Sequence, residues 1–181
     1  MSLTARQWVA ADFGGPEVLR NVEVNVPDPG PGQVTIDVRA AGMNPADAKH
    51  IAPGQDPKLL PLSLGYEVAG MITAFGPDTE IAAGGGAVGD EVVAAMVDGG
   101  YTTAITVPAS DVFTKPRTLS FPEAASGPFR ARVRSQILKL AQDGDLVVPM
   151  AETFKFADAP AAFAVLTSPH PPGKLALVNE H

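Results

Sequence analysis

Gln33-Val34-Thr35-Ile36-Asp37-Val38-Arg39-Ala40-Ala41-Gly42-Met43-Asn44-Pro45-Ala46-Asp47 changes character halfway along. In its first part Val34, Ile36 and Val38 alternate with Thr35, Asp37 and Arg39. A period of two sends the two sets to opposite faces of a strand, so residues 33–41 are expected to bury one face and wet the other. Before it stands Pro27-Asp28-Pro29-Gly30-Pro31-Gly32, a composition that permits only a loop. After it the alternation stops, and residues 42–61 form an irregular stretch with most of the unusual polar side chains.

Outward from this segment the same pattern repeats. Residues 6–11 and 19–26 read as two earlier strands, and strand character resumes at 64–75, 91–96, 101–107 and 111–114. Gly65 and Gly70 mark bends or close backbone approaches, and Asp98-Gly99-Gly100 and Pro108 mark turns. The last third differs. Residues 130–142 carry Val133, Ile137, Leu140 and Ala141 near helical spacing and stop before Gly144, a normal helix end. Asp158 with Pro160 in the first turn predicts a second helix through Leu166, and residues 174–178 read as a final strand.

Composition agrees with a β-rich chain. Of 181 residues 18 are glycine and 18 proline, about a fifth together against roughly 12% in ordinary proteins, which favours many turns. Hydrophobic residues make up 45% of the chain, enough for one core. The net charge of -7 gives no cationic field for a polyphosphate, so no nucleic-acid partner is expected. With no cysteine there is neither a disulfide framework, a thiolate zinc site nor a cysteine nucleophile. His50, His170 and His181 form no ligand-spaced pair. No apolar run reaches the roughly 18 residues of a membrane span, and the first residues lack a signal-peptide layout. A soluble, cytoplasmic protein without membrane partners is expected.

Five ordered blocks then carry a family resemblance. They are Val38 through Asp47, Leu64-Gly65-Tyr66-Glu67-Val68-Ala69-Gly70, and Val88-Gly89-Asp90-Glu91-Val92. Gly99-Gly100-Tyr101 with Val107-Pro108-Ala109 follows, then Lys115-Pro116 with Leu119-Ser120-Phe121-Pro122-Glu123-Ala124-Ala125. Together with the closing Gly173-Lys174-Leu175-Ala176-Leu177-Val178, they resemble the medium-chain dehydrogenase/reductases, in the zinc-free quinone oxidoreductase branch. The resemblance implies a β-rich α+β fold, a GroES-like β-barrel. Residues 1–126 would be its substrate domain and 127–181 the returning segment that completes it. It also implies a Rossmann nucleotide-binding domain inserted between the two, for which there is no room; such a unit needs on the order of 150 residues. Deliberate removal would explain this, ahead of natural deletion or an incomplete sequence.

Gly84-Gly85-Gly86-Ala87-Val88-Gly89 satisfies the dinucleotide signature G-x-G-x-x-G by letter only. The signature works when a buried strand leads in and a helix opens at the last glycine, so that backbone amides meet a pyrophosphate. Here a polar segment leads in and Asp90-Glu91-Val92-Val93, read as a strand, leads out. A surface turn is expected.

In the zinc branch, the resemblance places a cysteine at the block holding Asn44, a His-Glu pair at Tyr66-Glu67, and a hydroxyl residue at Ala46. None is retained except Glu67, so no zinc is expected. Hydride reduction of a quinone or enone, which needs only a donor near the developing oxyanion, is favoured over alcohol oxidation. The implied site residues are Asn44, holding nicotinamide or substrate carbonyl, Asp47, supporting the pocket, and Tyr66, donating through its hydroxyl. Asn44 and Asp47 also suit turns and helix caps, and Tyr66 suits half-buried packing. Glu67 reads as a structural carboxylate. Lys49 and His50 are loop candidates for cofactor phosphate or proton shuttling. Arg130, Arg132 and Arg134 stand near the N-terminus of the predicted helix, where cations oppose the dipole, and are expected to sit in solvent.

The chain is therefore expected to be the substrate domain of an NAD(P)H-dependent quinone or enone oxidoreductase. Alone it is expected to bind neither NADPH nor NADH tightly, to be inactive, and to self-associate through surface left by the absent domain. The alternative is a non-enzymatic binding or assembly module on the same barrel.

Overall fold

The computed structural model describes residues 3–127, 134–169 and 172–180. Its strands are β1 (Leu3–Ala10), β2 (Leu19–Val26), β3 (Gln33–Met43), β4 (Leu62–Ser63), β5 (Glu67–Phe75), β6 (Glu91–Ala95), β7 (Ala104–Pro108), β8 (Val112–Thr114), β9 (Met150–Lys155) and β10 (Lys174–Val178). Four α-helices accompany them: α1 (Pro45–His50), α2 (Phe121–Ser126), α3 (Arg134–Asp143) and α4 (Ala159–Leu166). The result is a β-rich α+β fold, as the turn-rich composition requires.

β1 and β2 pair antiparallel along their whole length, from Leu3 opposite Val26 to Ala10 opposite Leu19, and β4 adds two residues at β1's other edge. The larger sheet runs β8-β6-β5-β3-β10-β9, with β7 also on β3. β3 is its organiser. One edge pairs with β5, while the other is shared end to end, with β7 against Gln33 to Asp37 and β10 against Ala40 to Met43. The two sheets are stitched by Trp8 N–H to the Tyr101 carbonyl at 2.8 Å and Thr103 N–H to the Arg6 carbonyl at 2.9 Å.

Val34, Ile36 and Val38 all lie at zero exposure in the main core, with Val68, Ile72, Tyr101 and Phe163, but the opposite face is not wet as expected: Thr35 is buried and Asp37 and Arg39 are half-buried, because β5 and β7 flank the strand on both edges. Between Val38 and Ala40 the register with β5 slips. A bulge adds a residue and changes the phase. Beyond it Ala40 joins a second cluster with Ala69, Ala124 and Ala125, whereas Ala41 and Met43 return to the main core.

The structure corrects several sequence expectations. Residues 45–50 form α1 inside the stretch read as irregular. α2 opens at Ser120, whose backbone N–H and hydroxyl both donate to the Glu123 carboxylate at 2.8 and 2.6 Å, a capping pattern. β9 lies where no strand was expected, and β5 starts at Glu67 rather than at residue 64. α3 begins at Arg134, so Arg130 and Arg132 lie outside the described residues, as do His170 and His181. Asp158 precedes α4 but gives it no side-chain cap, because it belongs to a 3-10 turn, Phe156–Asp158. No helix among the described residues is long and apolar enough to cross a membrane.

Candidate functional site

β3 ends in Met43, and Asn44 turns the chain into α1 with an extended backbone, φ -127° and ψ 145°. Pro45, at the first helical position, suits that turn because its missing N–H has no helical partner to lose. Asp47 then folds its carboxylate back onto the Asn44 N–H at 2.8 Å. The same carboxylate accepts the Tyr101 hydroxyl at 2.7 Å and the Gly65 N–H at 3.3 Å. Asp47 is completely buried, and burial raises its pKa against the opposing pull of these hydrogen bonds. Tyr101, also fully buried, has its pKa pushed well above the ordinary value, first by burial and then by the neighbouring Asp47 charge.

The Asn44 side chain points elsewhere. Its Nδ2 donates to Glu67 Oε2 at 3.0 Å, and its Oδ1 accepts from Lys174 Nζ at 3.3 Å. A carboxylate offers only acceptors and an ammonium only donors, so the amide can face them in one orientation alone. Glu67, Asn44 and Lys174 form a carboxylate-amide-ammonium chain, with the first two buried and Lys174 half-buried. Among the described residues the Lys174 ammonium has this one hydrogen bond and no ion pair. Lys174 lines a cleft of about 200 Å³ with Met43, Pro45 and Leu166.

The half-buried Tyr66 meets exposed His50, at the end of α1, through a hydrogen bond between its hydroxyl and Nδ1. Their rings are edge to face, with centroids 5.6 Å apart and planes at 86°. Lys174 can hold an anionic or carbonyl oxygen, and Tyr66 and His50 can pass a proton between them.

Of the residues expected from sequence, Asn44 and Asp47 meet at the α1 start, and Tyr66 sits beside Glu67 in the chain. Asp47 reaches no cleft; its oxygens are taken by three internal donors, which makes it a positioning residue and not one that touches a ligand. Lys49 is exposed and joins none of these bonds. Lys174 and Tyr101 were missed as site residues. Lys174 reaches Asn44 because β10 pairs with β3, Leu175 opposite Met43, a register invisible in either segment alone. The glycine run at 84–89 is a turn that leads into β6, not a helix, and the Asp90 carboxylate accepts the Ala87 N–H at 2.8 Å.

Comparison with known proteins gives a consistent picture. The family described as the alcohol dehydrogenase GroES-like domain matches residues 30–117. The chain is 35% identical over 125 residues to the synaptic vesicle membrane protein VAT-1 homolog of Mus musculus, covering 67% of this chain and 30% of that protein. It is 33% identical over 141 residues to the quinone oxidoreductase of Homo sapiens, covering 72% of this chain and 41% of that one. The chain thus spans well under half of these relatives. Among solved structures, the Escherichia coli quinone oxidoreductase complexed with NADPH superposes with a TM-score of 0.59 at 25% identity, over 84% of this chain and 44% of that one.

Proposed function

Because the chain belongs to the medium-chain dehydrogenase/reductase superfamily, whose alcohol dehydrogenase GroES-like domain it carries, we propose that it is the substrate-side domain of an NAD(P)H-dependent reductase of quinones or enones. The observation that carries this reading is the Glu67-Asn44-Lys174 chain, which presents an ammonium with spare donors at a cleft wall. The quinone carbonyl oxygen lies against Lys174 Nζ. As that oxygen gains negative charge, the ammonium is already in place and needs little reorganisation. Asn44 fixes the lysine, and Glu67 fixes Asn44. The Tyr66 hydroxyl gives the proton that completes the hydroquinone or enol, while His50 Nδ1 resupplies it.

NADPH or NADH would supply the hydride. The glycine run offers neither one a phosphate loop, because it leads into a strand and the Asp90 carboxylate already accepts the Ala87 amide, so no step is derived through the cofactor on this chain. Zinc does not fit: an amide and a phenol stand in place of the cysteine and histidine, the retained carboxylate is already bonded to the amide, and the proposed chemistry is zinc-independent.

Titration of the purified chain with 1,4-naphthoquinone, followed by calorimetry, tests the reading. Saturable binding is expected, weakened about tenfold by Lys174→Met, the scale of one charge-assisted hydrogen bond. Absence of quinone binding, or binding indifferent to Lys174, would overturn the site. Quinone reduction by NADPH with the pure chain would overturn the placing of the hydride donor elsewhere.

A further inference from the structure

We infer that the cleft lined by Lys174 admits a single six-membered ring and that Leu166, at the end of α4, sets this limit. The substrates are then quinones or cyclic enones with one unsubstituted ring edge beside the carbonyl. The inference deepens the reductive reading and rests on it.

Three elements meet at the cleft. Met43 at the end of β3 and Leu175 of β10 stand opposite one another in the strand register, and both are 1% exposed. Pro45, Gly173 and the half-buried Leu166 complete the lining with Lys174. These walls are fixed. α4 is anchored by Phe163, which has zero exposure in the main core and meets Tyr101 edge to face with centroids 6.1 Å apart. Its last turn is closed by Thr167, whose N–H and hydroxyl both donate to the Phe163 carbonyl at 3.1 and 3.0 Å, and by the Ser168 hydroxyl, which donates to the Val165 carbonyl at 3.1 Å. Gly173 has a φ of 136°, and a Cβ there would stand 2.6 Å from the Ala151 nitrogen, so the backbone leading to Lys174 is pressed against β9.

The space among these walls is about 200 Å³. An apolar cavity of roughly 150 Å³ holds one benzene ring, whereas drug-sized ligands occupy roughly 300–1,000 Å³. One ring fits, and a second must stay outside. A ring carbonyl reaches Lys174 only when its own ring enters, edge first. 1,4-Naphthoquinone has an edge that carries hydrogens alone and leaves its fused ring in water. In 2,5-di-tert-butyl-1,4-benzoquinone a branched alkyl group blocks each edge, and overfilling between fixed aliphatic walls is unfavourable. The butylated quinone is nevertheless the more apolar of the two, so an open greasy surface would prefer it. The two ligands therefore separate a size limit from plain apolar attraction.

Calorimetric titration of the whole chain with both quinones tests the limit. The wild type is expected to bind naphthoquinone at least about tenfold more tightly than the butylated quinone. Leu166→Ala should tighten the butylated quinone about tenfold and change naphthoquinone by less than about threefold. Leu166→Val, which removes one methylene and is the gentler change should the alanine variant fold poorly, should shift affinities the same way to a smaller extent. Leu166→Met, close in volume, should keep the wild-type difference. Equal or tighter binding of the butylated quinone by the wild type would overturn the inference. So would a difference that survives unchanged in both Leu166→Ala and Leu166→Val. Either result, obtained with naphthoquinone binding that depends on Lys174, leaves the reductive reading standing, whereas absence of naphthoquinone binding overturns that reading and this inference together.

Discussion

Asp47 holds three donors from three parts of the chain, the Asn44 N–H, the Gly65 N–H and the Tyr101 hydroxyl. Asp47→Asn puts an NH₂ group against some of these donors and should cost about 1–3 kcal/mol of stability, read from urea midpoints. The pH dependence has a definite sign. Asp47 is raised above its ordinary 3.8 in the fold, so between 3.8 and the raised value the native state binds more protons than the unfolded one. Its contribution is present below 3.8 and is lost as pH climbs through the folded value. The gap between wild type and Asp47→Asn should therefore be widest in acid and narrow toward neutrality. A gap that widens with pH would mean that the hydrogen bonds outweigh burial and that the shift runs downward. Tyr101 behaves alike at the other end: raised above 10, it should destabilise the fold as pH rises beyond that value, and Tyr101→Phe should abolish this alkaline loss.

Among the elements, the contact of β3 with α2 leaves no room for a side chain at residue 42. A Cβ on Gly42 would stand 2.2 Å from the Ala125 carbonyl oxygen, a backbone atom that cannot swing aside. Gly42→Ala should cost about 1–3 kcal/mol by overpacking, measured by thermal unfolding. Much at this scale was legible in the sequence: residues 19–26 and 174–178 fold as read, because alternation and flanking turns mark strand ends. The helices α1 and α2 were not. Each is six residues long, too short for an apolar stripe to repeat. Their only local signal is the cap, Asn44-Pro45-Ala46-Asp47 and Ser120-Phe121-Pro122-Glu123, and in the first case the same letters carry the family motif. β9 was hidden differently. Met150-Ala151-Glu152-Thr153-Phe154-Lys155 does not alternate cleanly, and parallel pairing with β10 supplies what its pattern lacks. The site divides along the same line: all five residues stand in family blocks, but the part that Lys174 and Tyr101 play comes only from contacts across the chain, which neither block shows alone.

For the whole molecule, the last eighth of the chain is not an appendage. β10 lies inside the larger sheet, with β3 on one side and β9 on the other, and Leu175 and Leu177 are buried with Phe163 in the main core. The Trp8 indole N–H donates to the Phe156 carbonyl at 2.8 Å, which ties the first strand to the same C-terminal segment. A fragment of residues 1–127 would expose the β3 edge from Ala40 to Met43 and leave Asn44 without its ammonium. We therefore propose that residues 1–127 and 128–181 are two halves of one folding unit. Neither fragment alone should show a cooperative thermal transition, while mixing them should restore one, detectable by calorimetry. Binding makes the test sharper, because Lys174 comes from the second half and Asn44 from the first. A mixture that refolds should recover naphthoquinone binding. A first fragment that unfolds cooperatively alone would show that β3 is held well enough by β5 and β7, and that β10 supplies the site without supporting the fold.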